Sequence, residues 1–195
     1  MSVSSAPPVP HVSLSLTLGS RTLDLSTRAA VVAVVPLPRF GREAEVLAGV
    51  RSAALAGADA VEVPAEVRLL GPAAASGELP IAAQVATPDA ARAARAAGAQ
   101  LLLVPAEHLD EVVAGQGADD DWQLAVQVTT AQEGRDRVRD GDLPVVLDTA
   151  ALARVDAVSE ESLALSVGVR VVRTTDIRRT RRVVEVMAHL LEARR

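Results

Sequence analysis

Two hydrophobic periods take turns along this chain. Near its start Leu14, Leu16 and Leu18 alternate with Ser13, Ser15 and Thr17, and Gly19-Ser20 then leads into residues 22–25. That is the pattern of a β-hairpin with one apolar face. Residues 29–35 are apolar throughout and are closed by Pro36 and Pro38, as expected of a strand buried on both faces. A helix is predicted over 42–56, stopped by Gly57, where a glycine can take the left-handed conformation that ends helices. Short strands follow over 60–63, closed by Pro64, and over 81–85. Thr87-Pro88-Asp89 opens the next helix, with Thr87 as N-cap and Pro88 at its first position, and Gly98 ends it.

The alternation continues to the end of the chain. Strand 100–104 is closed by Pro105 and followed by a helix over 106–113; 115–121 reads as a polar loop. Strand 122–128 precedes a charged helix over 132–139, and Gly141-Asp142 turns into strand 144–147. Helical stretches are predicted over 150–155 and 160–167, ended by Gly168, then a strand over 170–173. The last helix starts at Thr175 or Asp176 and keeps Ile177, Val184, Met187, Ala188 and Leu191 on one face. Seven apolar strands alternating with helices mean a parallel sheet covered by helices. The two architectures available are a (β/α) barrel and an open doubly wound sheet. No G-x-G-x-x-G follows the first buried strand, which removes the main argument for an open dinucleotide-binding sheet. The expected fold is α/β: a shortened (β/α) TIM-type barrel of about seven parallel strands behind an N-terminal β-hairpin. At 195 residues the chain is short of the roughly 250 that eight units usually need.

Composition narrows the chemistry. There are 20 cationic and 25 acidic side chains, and no cysteine, lysine or asparagine; alanine fills 37 positions. The missing cysteine excludes disulfides, thiolate metal sites and a cysteine nucleophile. Without lysine there is no Schiff base, P-loop lysine or lysine base. A net charge of −5 and only two aromatic residues, Phe40 and Trp122, argue against a nucleic-acid surface. No apolar run reaches the ~18 residues of a membrane span. Residues 1–12, rich in Ser and Pro, read as a tail without the basic and apolar regions of a secretory signal. The expectation is a cytoplasmic protein whose barrel domain occupies 13–195.

Local motifs add little. His11, His108 and His189 are scattered and read as surface residues, and Asp119-Asp120-Asp121 lacks the alternation and distal Glu of a calcium loop. No G-x-S-x-G elbow exists. The one sharp asymmetry is at the end: residues 170–195 hold eight Arg and three acids, a net +5, so the other 169 residues carry −10. Arg178, Arg179, Arg181 and Arg182 crowd the first turns of the last helix, where cations oppose the helix dipole. Internal or intersubunit acids, or a bound anion, are expected to compensate.

The order of pieces resembles the dihydropteroate synthase family. The carrying segments are the hairpin, the strand ending Val35-Pro36-Leu37-Pro38 before Phe40, and Gly57-Ala58-Asp59-Ala60-Val61-Glu62-Val63. To these add Pro80-Ile81, Thr87-Pro88-Asp89-Ala90-Ala91-Arg92, Ala97-Gly98-Ala99, and Gly168-Val169-Arg170-Val171-Val172-Arg173-Thr174-Thr175-Asp176. The likeness spans most of 14–190, with one βα unit around the family's strands six and seven missing or merged. It implies a pterin-binding barrel that joins a hydroxymethyl-dihydropterin diphosphate to p-aminobenzoate with the help of magnesium.

The resemblance also implies losses. The family's N-x-T-P-D-S-F loop is matched by Val35 to Phe40, with Val35 for the metal-binding Asn and Arg39 for the Asp. D-V-G-G-E-S-T-R-P-G is matched by Glu62 to Arg68, keeping the acids Glu62 and Glu66 but neither glycine nor Ser-Thr. I-D-T becomes Ala83-Gln84-Val85, and N-D becomes Leu103-Val104. The S-R-K segment has no lysine to match; Asp148-Thr149-Ala150 stands there or at the family's D-P-G. Of R-x-H-D, Arg173 and Asp176 are kept and Thr175 replaces the His. The sequence therefore predicts a synthase-like protein without synthase activity, no catalytic residue, no metal and no cofactor. Glu62, Glu66, Asp148 and Arg173 are the candidate ligand residues at the barrel mouth, for a pterin or another small anion. The expected partners are a second copy or a functional synthase, docked through the C-terminal helices, and neither nucleic acid nor membrane.

Overall fold

The computed structural model describes residues 15–36, 43–64, 67–117, 120, 122–141 and 143–193. The predicted tail, residues 37–42 and Glu66 lie outside them. A hairpin of β1 (Ser15–Leu18) and β2 (Arg21–Asp24) comes first. Then strands and helices alternate: β3 (Ala30–Val34), α1 (Glu43–Leu55), β4 (Ala60–Glu62), α2 (Val67–Ala75), β5 (Ile81–Gln84), α3 (Pro88–Ala96), β6 (Leu101–Pro105), α4 (Leu109–Ala114), β7 (Leu124–Val128), α5 (Ala131–Asp140), β8 (Val145–Asp148), α6 (Arg154–Ser166), β9 (Val171–Thr174) and α7 (Ile177–Glu192). Strands β3 to β9 are all parallel and close on themselves, because β9 pairs with β3. The shortened barrel and its hairpin are the architecture that the sequence predicts.

Strand alternation sorts the side chains into two shells. Ala30, Val32, Ala60, Ala82, Leu101, Leu103, Ala125, Val146 and Val171 form the inner core. Seven strands enclose a narrower bore than eight, and four alanines among these nine fit it. Leu16, Leu18 and Leu25 of the hairpin segment join this core and plug the N-terminal end. The outward residues, such as Ala33, Val61, Ala83, Leu102 and Val104, pack under the helices with Val46, Val50, Leu69, Leu70 and Val112.

Local signals explain most boundaries. Thr87 Oγ1 accepts from the Ala90 amide at 3.2 Å, with Pro88 at the first helical position. Gly98 follows α3 at φ +98°, and the Ala99 amide donates back to the Ala94 carbonyl, a left-handed C-terminal close that favours glycine. Two predictions need correction. Helix α2 was not expected, because Gly71-Pro72 lies inside it and reads as a turn. The two helical stretches over 150–155 and 160–167 are one helix, α6, which starts at Arg154 and runs unbroken to Ser166. No helix among the described residues is long and apolar enough to cross a membrane.

Candidate functional site

In a (β/α) barrel, side chains at the C-terminal ends of the strands converge on one mouth, and chemistry is found there. Continuing the inward alternation by one step, from Ala60, Ala82, Ala125, Val146 and Val171, reaches Glu62, Gln84, Gln127, Asp148 and Arg173. The inward position on β3 is Val34 and on β6 is Pro105. A polar layer thus caps an apolar bore.

Arg173 organises this layer. Its Nε and Nη2 donate to the two carboxylate oxygens of Glu62, the latter at 2.8 Å, and its Nη1 donates to Asp148 Oδ1 at 2.8 Å. Asp148 Oδ1 also accepts from the Ala150 amide at 2.9 Å, and its Oδ2 accepts from Gln127 Nε2 at 2.7 Å. The three charged side chains are mostly covered, with Glu62 9 %, Arg173 12 % and Asp148 15 % exposed. Burial pulls the Arg173 pKa down, but the Glu62 and Asp148 bonds and charges more than offset it, and the guanidinium is held above its ordinary value. Three of the four residues expected at the mouth therefore meet; Glu66 is outside the described residues.

Behind the mouth lies a second polar cluster that the sequence did not suggest. Glu161 of α6 is fully buried, and its Oε1 accepts from Thr149 Oγ1 at 2.9 Å, Arg179 Nη2 at 2.6 Å and Thr180 Oγ1 at 2.8 Å. Thr174 Oγ1 accepts from Arg179 Nη2 at 3.2 Å. Thr149 and Thr174 directly follow Asp148 and Arg173, so this cluster ties the ends of β8 and β9 to α6 and α7. It also answers part of the arginine surplus at the start of α7. Arg181 is held too: its Nε and Nη2 donate to the Gly57 carbonyl, and Nη2 to Asp59 Oδ2 at 2.7 Å. Arg178 and Arg182 are exposed.

Gln127 is the mouth residue that sequence reasoning missed. The readable signal was its place: two residues after the inward Ala125, at the end of a strand. Gln84 was noted only as a replaced Asp. The position matched to the family's metal-binding Asn does not fit a metal ion. Val35 packs outward with α1, the inward neighbour is the aliphatic Val34, and neither side chain has a donor oxygen. Among the described residues no three His, Asp or Glu side chains are grouped to hold an ion. At the other end of the barrel a cavity of about 240 Å³ is lined by Thr22, Asp24, Arg28 and Asp59, among others. Asp59 is already engaged there by the Val31 amide at 2.8 Å, by Arg28 at 3.0 Å and by Arg181.

No protein-family model matches this chain, and no curated protein matches it by sequence. Solved structures do match. A Yersinia pestis dihydropteroate synthase with a pterine-sulfa conjugate superposes at a TM-score of 0.74 with 14% identity, covering 93% of this chain and 100% of that one. The Thermus thermophilus dihydropteroate synthase in complex with 4-aminobenzoate gives 0.68 and 17%, covering 91% and 100%. Mycobacterium tuberculosis Rv1207 gives 0.65 and 20%, covering 91% and 97%. The chain has the dihydropteroate synthase fold.

Proposed function

We propose that this chain is a dihydropteroate-synthase-like barrel without synthase activity that works through protein contacts, as a homo-oligomer or docked on a functional synthase by its C-terminal helices. One observation carries the loss of activity. Arg173, the ligand residue that the resemblance retains, has all three guanidinium nitrogens committed to Glu62 and Asp148. A diphosphate would have to approach a guanidinium held between two carboxylates in a largely buried cluster. Val35, matched to the metal-binding Asn, offers a metal-bound diphosphate no oxygen, and Leu103-Val104, matched to N-D, leave a pterin ring edge unpaired, at about 1–3 kcal/mol for each missing partner. The partner surface is supported by α7, where Val186 and Leu190 are 58% and 52% exposed, and by the exposed Val155 and Leu163 on α6. Exposed aliphatics on neighbouring helices are what an interface would cover.

Calorimetric titration with a dihydropterin diphosphate and magnesium, with p-aminobenzoate turnover followed in parallel, tests the first half. The expected result is silence in both; turnover overturns it. Light scattering behind size exclusion tests the second half. A dimer or larger species, reduced to monomer by Leu190→Glu, is expected, and a monomer that captures no synthase overturns it.

A second reading is supported by the convergence of Glu62, Asp148 and Arg173 at the strand ends: a barrel mouth that holds a small ligand other than the family's substrates. Saturable binding without turnover favours it.

A further inference from the structure

The bonds around the mouth form an open chain. They run from Glu62 on β4 to Arg173 on β9, then to Asp148 on β8, and stop at Gln127 on β7. The amide of Gln127 has only one possible orientation. A carboxylate can only accept, so the NH₂ group must face Asp148, and this turns Oε1 away from it. That oxygen is buried and has no hydrogen-bond partner among the described residues, on a residue 8% exposed. The next inward position, Pro105 on β6, has no donor to offer. Beyond it stands Gln84 on β5, which is exposed.

The mouth therefore has an unmatched buried acceptor and an excess of negative charge. Among the described residues it holds two carboxylates and one guanidinium, a net −1. Each of the three Arg173 nitrogens already donates to one of those carboxylates, whereas Gln127 Oε1 has no donor. We infer that the mouth binds a small organic cation with N–H donors, of the primary-ammonium or amidinium class, between Gln127 and Gln84. This rests on the second reading above, that the mouth holds a ligand, and sets its charge opposite to the anion that the sequence suggests. A cation gains from the net charge, and its N–H group recovers the hydrogen bond that Gln127 lacks. An anion would meet two carboxylates and a guanidinium each of whose nitrogens already donates to one of them.

The composition supplies a direct test. The chain has six glutamines and no asparagine, so nitrogen-labelled protein shows only six side-chain NH₂ pairs, and Gln127→Met identifies the one that matters. The full chain is titrated separately with methylammonium chloride, tetramethylammonium chloride and sodium pyrophosphate at equal ionic strength. Methylammonium is expected to shift the Gln127 pair saturably. Tetramethylammonium, with the same charge and no N–H, should bind about tenfold more weakly or worse. Gln84→Arg, at an exposed position that leaves the core untouched, should abolish the methylammonium response read at the Asp148 and Ala150 amides. This variant keeps the test decisive if Gln127→Met does not fold. Saturation by pyrophosphate alone leaves the mouth a ligand site but overturns the cation. An equal response to both ammonium ions overturns the hydrogen bond. No saturable response to any of the three overturns the inference and the second reading together.

Discussion

Glu161 shows how much one buried polar side chain can decide. It is completely covered, yet it is satisfied on Oε1 by Arg179, Thr149 and Thr180. Removing only one side of such a pair leaves an uncompensated buried charge, whereas replacing both with apolar groups is often neutral. Glu161→Ala should lower unfolding stability by about 3–5 kcal/mol, measured by urea denaturation. The double variant Glu161→Leu with Arg179→Met should recover most of that. The threonines keep other partners, since Thr180 and Thr174 bond each other and Thr149 Oγ1 reaches the Arg173 carbonyl at 3.1 Å. A smaller effect belongs to Asp24, whose carboxyl is held below its ordinary pKa by the hydroxyl and then the amide of Ser26. A depressed acid stabilises the fold above its unfolded pKa, and that contribution fades as pH falls through the folded value. Ser26→Ala should raise the Asp24 pKa, read by NMR titration of the Asp24 carboxyl, and should remove part of the acid-side pH dependence of stability.

Elements were legible where the local signal and the tertiary packing agree. Thr87-Pro88-Asp89 announces α3 because cap, proline and first-turn acid all act within one turn. Thr87→Ala should cost about 1 kcal/mol, seen as an earlier urea midpoint with an unchanged slope. Where the two levels disagree, the sequence misleads. Pro72 is tolerated inside α2 because a helix held by Leu69, Leu70 and Ala73 in the core does not depend on every internal bond. Helix α6 runs unbroken through the predicted gap over 156–159, and it is anchored by Glu161, a buried acid where a helix face calls for an aliphatic side chain. Its partners, Thr149, Arg179 and Thr180, lie 12 to 19 residues away, and no local pattern announces a bond of that span. The mouth has the same character. Glu62 and Arg173 are 111 residues apart; they were found through strand ends and a family resemblance, whereas Gln127, with neither motif nor charge, was not.

The molecule as a whole depends on the hairpin more than its position outside the barrel suggests. A bore lined by Ala30, Ala60, Ala82 and Ala125 lacks the bulk to seal itself, and Leu16, Leu18 and Leu25 complete its core from below. An isolated two-stranded hairpin is marginal in water, so each part needs the other and both should unfold together. Trp122 provides a distant witness: it is the chain's single tryptophan, and it is buried in the outer shell rather than in the bore. Leu18→Ala empties a fully buried position and should cost about 2–5 kcal/mol. If hairpin and barrel are one cooperative unit, Trp122 fluorescence and backbone circular dichroism should move to lower urea together, by the same amount. Thr17→Ala, exposed on the same strand, should move neither by more than about 0.5 kcal/mol. A Trp122 transition that stays in place while Leu18→Ala melts only the hairpin signal would make the plug a separate, dispensable piece, and the seven-stranded bore would then have to be stable on its own alanines.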